Sequence, residues 1–559
     1  MKKYFYSALI ALVSAAFYSC GDDSNLTEAI DTVPVPTSTS EASTLVNAVY
    51  GPLQTLSSSY SFFLENATET TVCFEDNDDV DGPQISEFKT KKDNWYAIKI
   101  FNRLYSSITA ANTAIEKIGE ANADDIYQAG YPAYGVAEVS KDLLIARAKF
   151  VRGYDYFQLV QFFGEVPVFT SIKPSDSEKT TRVSIDEVYA QVVKDLTDAI
   201  QYLPEYDGTK SNPTQLAAKA ILAKVYLTWG AKPLSQSEVA AIAASKTDPA
   251  KPAVDAAKYA KAIEYADAVI TSGKYALQAD FNNIWGVANE NNQEVIYSIL
   301  HYGDAVDAQG NHQTHCGYTH PGDERSDPHI QYADITLEDA IPDGDARKLR
   351  SYAKYVYFNS SANIDTLTWP LSVVRPGKWI HGYVEDGKIY GNANQPNDID
   401  HIDFRLAEIY LIKAEAQWYT GSGDKGLAAI NVLRNRAGVD ALAAVSEEAI
   451  RKEWGYELAF EQKHWLNLVR WRTLLSSIEL VKGYEFYKDQ YGASHKEHFS
   501  DVTYNGIPAD VTRVDFYNRI YKHLHSKTTN ADGHFYRFPI PLAEDRTTDL
   551  GITPQNPGY

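Results

Sequence analysis

Glu457 and Glu461 stand four residues apart in a stretch whose apolar residues recur with a helical period. On one helix that spacing can bring two carboxyls to about 5–5.5 Å, the separation a retaining glycosidase uses. The same stretch carries Arg451, Lys463 and Arg470, so buried or bridged ion pairs are the simpler expectation for the two acids. No phosphate-binding loop, nucleophile elbow or His-Glu-x-x-His accompanies them. The expectation is a protein that is not an enzyme.

Binding chemistry is better represented. The 559 residues include 39 Tyr and 9 Trp against a single Met. Rings stack on the C–H faces of sugars, while amides and carboxylates fix hydroxyls in pairs. Two segments combine both kinds of group. The first runs from Cys73 to Asp79 and offers Phe74, Asp76 and Asn77. Its acids between Asp76 and Asp81 could also gather around Ca2+, but the spacing is not that of an EF-hand. The second runs from His301 to His320, and five of the 13 histidines fall within 301–329. His312, His315 and Cys316 could offer zinc ligands, yet their spacing fits no standard structural site. The expectation is no metal and no cofactor. Trp369, ahead of Pro370 in an irregular stretch, is a candidate exposed platform, whereas Trp285 and Trp454 sit on patterned apolar faces and belong to the core.

Helices must position these segments. Leu143, Ala146, Phe150, Tyr154, Phe157 and Val160 form one apolar stripe that stops at Gly164, with Pro167 beyond it. Leu406, Ala407, Tyr410, Leu411, Ala414 and Trp418 form a second, closing at Gly421 and Gly423. Ile450, Trp454, Leu458, Trp465, Leu468 and Leu475 read as one face of a third. The spacing predicts helical pairs: 93–118 with 141–163, 184–203 with 212–230, 403–420 with 424–437, and 257–272 with a partner the sequence does not name. Paired helices repeated along a chain imply a mostly α, tetratricopeptide-like scaffold. The helical period fails near 65–92, 281–400 and 483–535, which read as excursions of loops and short strands; 234–254 reads as a surface excursion.

The ends and the charge bound the compartment and the partners. Lys2 and Lys3 precede an apolar run from Phe5 to Phe17, the layout of a secretory signal peptide over residues 1–19. Phe17-Tyr18-Ser19-Cys20 resembles a lipobox, making Cys20 the lipidated first residue of a polar tether over 20–40. The net charge of −22 argues against nucleic acid as a partner. Cys73 and Cys316 remain for a disulfide, which would draw the two candidate segments to one surface; spacing alone does not establish it.

Several motifs then resemble one family, in order along the chain. Phe150-Val151-Arg152-Gly153-Tyr154 through Phe162-Phe163-Gly164-Glu165-Val166-Pro167 is similar to a stretch of the SusD/RagB family. So are Arg405 to Ala416, Ile430-Asn431 to Gly438, Ile450-Arg451 through Glu461, and the ending Phe538-Pro539-Ile540-Pro541 to Gln555-Asn556-Pro557-Gly558-Tyr559. His464 and Asn467 depart from the usual Arg and Asp of the family, which implies a missing or rerouted ion pair. The resemblance implies one SusD-like domain over 41–559. It also implies an outer-membrane, cell-surface lipoprotein that captures a glycan and passes it to a SusC-like TonB-dependent transporter. A loop that carries a stacking aromatic in the family makes Tyr302, Tyr318 and His320 the candidates of the second segment. A Lys-aromatic pair ending a short strand places Lys378-Trp379 in the core. The RagB branch makes peptide uptake the alternative.

Overall fold

The computed structural model describes residues 33–73, 80–131, 136–301, 331–333, 340–353, 356–360, 363–365, 375–379, 382–385, 388–392, 399–480 and 526–559. Helix starts follow from short polar side chains. Ser38, Asn94, Ser140, Ser184, Thr214 and Asp255 each accept backbone N–H groups of the first turn they precede. They open α1 (Thr39–Asn47), α4 (Trp95–Glu120), α5 (Lys141–Phe163), α6 (Ile185–Ile200), α7 (Gln215–Gly230) and α8 (Ala256–Thr271). Between α1 and α4 lie α2 (Tyr50–Asn66), the short strand β1 (Thr71–Cys73) and α3 (Asp81–Ser86). Regular structure therefore begins inside the expected tether, because Ser38 is a helix cap.

The expected pairs form. α4 packs on α5, α7 on α6, and α9 (Leu406–Thr420) on α10 (Leu427–Ala437). α5 also packs on α6, and the unnamed partner of α8 is double: it lies against both α7 and α9. The array is thus continuous across α8 and α9, although more than a hundred residues intervene in sequence. A large core of Leu, Ile, Val, Ala and aromatic side chains runs through all these helices. Buried polarity is matched within it. The Arg152 guanidinium donates to both Asp195 oxygens at 2.6 and 2.9 Å and to Asn112 Oδ1 at 2.8 Å, tying α5, α6 and α4. Close approach explains Gly426, where φ is +86° and a Cβ would sit 2.4 Å from the Ala414 carbonyl oxygen.

The third expected helix is not one helix. It is α11 (Glu447–Leu458), α12 (His464–Trp471) and α13 (Leu474–Leu480), separated where Phe460, Gln462 and Arg472 take left-handed φ values of 59°, 62° and 58°. Residues 403–405, expected to be helical, are strand. They belong to β6 (His401–Arg405), which pairs antiparallel with β2 (Val295–Ile299), both buried throughout. The stretch 234–254 is more than a surface excursion: it forms a helix over Gln236–Ile242, and its Asp248 accepts from the N–H groups of Leu475 and Ser476.

The 281–400 excursion consists of short strands as expected. Those over 382–385, 388–392, 356–360 and 363–365 form one sheet in that order. At its base Phe281, Ile284, Trp285, Val295, Trp379, Ile399 and Ile402 make a small separate core. Trp285, Trp379 and Trp454 are all core residues, and Trp379 donates its ring N–H to the Phe460 carbonyl at 2.7 Å. The C-terminal motif is a lock. Asn556 donates to the Phe163 and Phe538 carbonyls at 3.0 and 2.6 Å, and Gln555 pairs with both backbone groups of Ile540. Among the described residues no helix is long and apolar enough to cross a membrane.

Candidate functional site

β1 pairs antiparallel with β3 (Gln331–Ala333), in the register Thr71↔Ala333, Val72↔Tyr332, Cys73↔Gln331. The chain leaves β1 at Cys73 into the first candidate segment and enters β3 at Gln331 from the second. In this register both segments join the ribbon at the same end. β3 also lies against β5 (Arg375–Pro376), which pairs with β4 (Tyr352–Ala353) and follows the stretch carrying Trp369. The expected ligand residues themselves, Phe74, Asp76, Asn77, Tyr302, Tyr318, His320 and Trp369, lie outside the described residues. So do Cys20, Cys316 and the His312–His315 pair. His301, which opens the second segment, is buried, with Nε2 2.6 Å from Ser57 Oγ of α2. Cys73 is buried, and its N–H donates to Ser86 Oγ at 3.1 Å.

The turn before β1 is held from three sides. Thr68 donates its hydroxyl to the Glu65 carbonyl at 2.7 Å, and Thr71 to Asn66 Oδ1 at 2.9 Å. The buried ammonium of Lys527 donates to the carbonyls of Asn66, Thr68 and Thr71, at 3.3 Å and 2.7 Å for the first and last. Glu65 accepts from the Gln462 N–H at 2.8 Å, and Glu69 Oε1 lies 2.7 Å from His464 Nε2. The two family departures are thereby explained. The ion pairing is rerouted: His464 meets Glu69, while Arg470 binds Glu415 and also donates to Asn467 Oδ1 at 3.0 Å.

Beyond the first segment the surface is apolar and aromatic. Val80 is 57% exposed and Trp95 37% exposed, the latter with the Lys99 ammonium 4.2 Å from its ring centroid. The two are held near one another because Asn94 donates to the Asp81 carbonyl at 3.0 Å while its Oδ1 caps α4. Trp95 was missed in the sequence because it reads as the first residue of an amphipathic helix. Its position just after an Asn cap, off the apolar stripe, was the available signal. Both Asp81 oxygens accept from Arg546 at 3.0 Å, so this carboxylate, the last acid of the expected Ca2+ cluster, is already engaged by a cation.

The Glu457 and Glu461 reading needs correction in its geometry. α11 ends at Leu458, so the two acids do not share a helix, and their partners are not Arg451, Lys463 and Arg470. Glu461 accepts from Arg405 Nε and Nη2 at 2.7 Å each and from Lys378 at 2.6 Å. Glu457 is bound by Arg405 at 2.6 Å, by Arg347 at 3.1 Å and by Arg436. Burial works against the Glu457 charge, but Arg436, Arg405 and Arg347 outweigh it and hold the pKa well below the carboxylate range. Glu461 is likewise lowered, Arg405 and Lys378 overcoming burial. A glycosidase acid needs a raised pKa and access to the sugar. These two acids have neither, and they act as structural anions.

A helical-pair array with a ribbon-rooted surface and an internal charge cage defines a binding scaffold rather than a catalytic fold. Its relatives agree. A family model described as starch-binding and associating with the outer membrane matches residues 32–227, and the SusD family model matches residues 288–559. The chain belongs to the SusD/RagB family. It is 24% identical over 419 residues to SusD-like protein P2 of Formosa agariphila, covering 69% of this chain and 74% of that one. A stretch of 108 residues is 39% identical to the starch-binding protein SusD of Bacteroides thetaiotaomicron, 19% of this chain and 18% of that one. A SusD homolog of the same species shares the fold with a TM-score of 0.66 at 21% identity, over 95% of this chain and 99% of that one.

Proposed function

We propose that this protein captures an oligosaccharide or polysaccharide at the cell surface and delivers it to a SusC-like TonB-dependent transporter in the outer membrane. In this reading Cys20 is the lipid anchor, and the chain is non-catalytic. Phe74, Tyr302, Tyr318, His320 and Trp369 supply rings, and Asp76 and Asn77 supply paired hydrogen-bond groups. The observation that carries the reading is the β1/β3 register, since two segments rich in rings and polar groups start from one ribbon end in a family described as starch-binding. A Cys73–Cys316 disulfide would keep the segments together. Peptide mapping under non-reducing conditions checks it, and a free Cys316 thiol removes it.

A glycan array with the Phe74→Ala and Tyr318→Ala variants tests the site. The expected result is retention of at least one glycan class by the parent and loss in both variants. Unchanged binding in both would remove the proposed surface. Calorimetric titration with short peptides separates the alternative: peptide binding with no response to any sugar would make this an uptake protein of RagB type.

A further inference from the structure

The turn at 66–71 is the root of the first candidate segment, and two cations from distant parts of the chain hold it. Lys527 caps its carbonyls, and His464, the first residue of α12, holds Glu69. Glu69 depends on that contact: its other oxygen, Oε2, is buried without a hydrogen bond among the described residues. The His464 and Glu69 side chains are only 16% and 7% exposed, so solvent screens their attraction weakly. Glu69 sits two residues before β1 and five before Phe74.

We infer that His464 is a positioning residue: its imidazolium grips Glu69, and the hold on residues 66–73 loosens when that proton leaves. The inference rests on the proposed role of Phe74, Asp76 and Asn77 for its meaning in ligand binding, but not for its test.

The charged surroundings favour such a switch. His464 faces Glu69 on the turn and Glu65 on α2; Glu69 also faces Lys527, and Glu65 also faces Lys378. Burial disfavours the charged ring, but Glu69 and Glu65 outweigh it, and the His464 pKa lies above its ordinary 6.5. For Glu69, burial is outweighed by His464 and the pKa falls below 4.5, whereas at Glu65 burial prevails and the pKa rises. A basic group raised on folding contributes fully below its unfolded pKa and loses that contribution as pH rises through the folded one. The grip is therefore firm in mildly acidic solution and weakens above neutrality. A neutral imidazole can still donate to Glu69, so the contact changes from a charge-assisted to an ordinary hydrogen bond.

Hydrogen exchange of the full chain, corrected for intrinsic rates, at pH 6 and pH 8.5 tests this. Amides of residues 70–73 are expected to open about tenfold more often at the higher pH, one pKa unit of linkage. In His464→Gln the change is expected to vanish, and Glu69→Gln provides the same comparison should the first variant not fold. Equal pH dependence in parent and variant, or none in the parent, would overturn the inference. Titration of the parent at pH 6 with maltoheptaose and laminarin is a separate arm. Exchange that follows His464 with no glycan bound would count against the glycan reading and leave the latch in place.

Discussion

Arg405 and Glu461 meet through two parallel hydrogen bonds of 2.7 Å, side chain to side chain, with both groups almost fully buried. Arg405 ends β6 at the foot of the 281–400 excursion, and Glu461 lies just past α11 of the helical scaffold. Around them Glu294 and Lys378 come from the excursion and Arg436 and Glu457 from the helices. The excursion is thus bolted to the scaffold by charge as well as by its small apolar core.

Breaking that bolt leaves uncompensated buried charge. Arg405→Ala strips one guanidinium from Glu294, Glu457 and Glu461 at once. The expected loss is about 3–5 kcal/mol of unfolding free energy. Equilibrium denaturant unfolding measures it, and a loss below about 1 kcal/mol would show that the cage relaxes or takes up water.

Asp155 gives a pH dependence of known sign. It lies in the core on α5, and neither carboxylate oxygen has a hydrogen bond among the described residues. Burial pushes its pKa well above the usual 3.8, the nearby Ser107 only partly offsetting this. An acid whose pKa rises on folding contributes stability at low pH that is lost as pH rises through the folded value. Asp155→Asn removes that loss. The variant should match the parent near pH 4 and exceed it at pH 8 by about 1 kcal/mol or more. Parallel stability profiles for the two proteins would contradict this.

Trp95 extends the candidate surface beyond the residues chosen from sequence. Its exposed ring lies across the Asn94–Asp81 contact from Val80, where the first segment rejoins the described chain. A stacked aromatic is worth about 0.5–1.5 kcal/mol beyond area burial. Trp95→Ala should therefore weaken glycan binding roughly tenfold once its buried area is included. Tyr202→Ala, at an exposed tyrosine adjoining none of the candidate segments, should leave binding unchanged. Equal effects of the two would place Trp95 outside the surface.

How much of this could be read from sequence depends on the range of the interaction. The stripe from Leu143 to Val160 and the Ser and Asn caps are local signals, and they set the helices within a few residues. The single stripe drawn from Ile450 to Leu475 failed, because left-handed Phe460, Gln462 and Arg472 break the chain without a glycine or proline to announce it. The ion partners of Glu457 and Glu461 were misassigned for a related reason. Sequence neighbours such as Lys463 looked available, while Arg347 and Arg405, 110 and 52 positions away, reach the site only through the fold. The ribbon that gathers the candidate segments joins residues more than 250 apart, and no periodic pattern in three-residue strands reports such a pairing.

Cys20 tests whether attachment is needed for uptake or only for address. Residues 21–32 separate it from the first described residue, Val33, and fully extended they span at most about 40 Å. That reach would let a lid swing over a barrel while several acyl chains keep it at the membrane. Cys20 lies in a leader remote in sequence from the core and from the β1/β3 ribbon, so Cys20→Ala should leave melting temperature and glycan affinity unchanged in solution. In cells dependent on the glycan, the same variant should abolish growth-supporting uptake. Growth at the parental rate, with the protein released to the medium, would show that the leader only directs export and that delivery does not require a tethered lid.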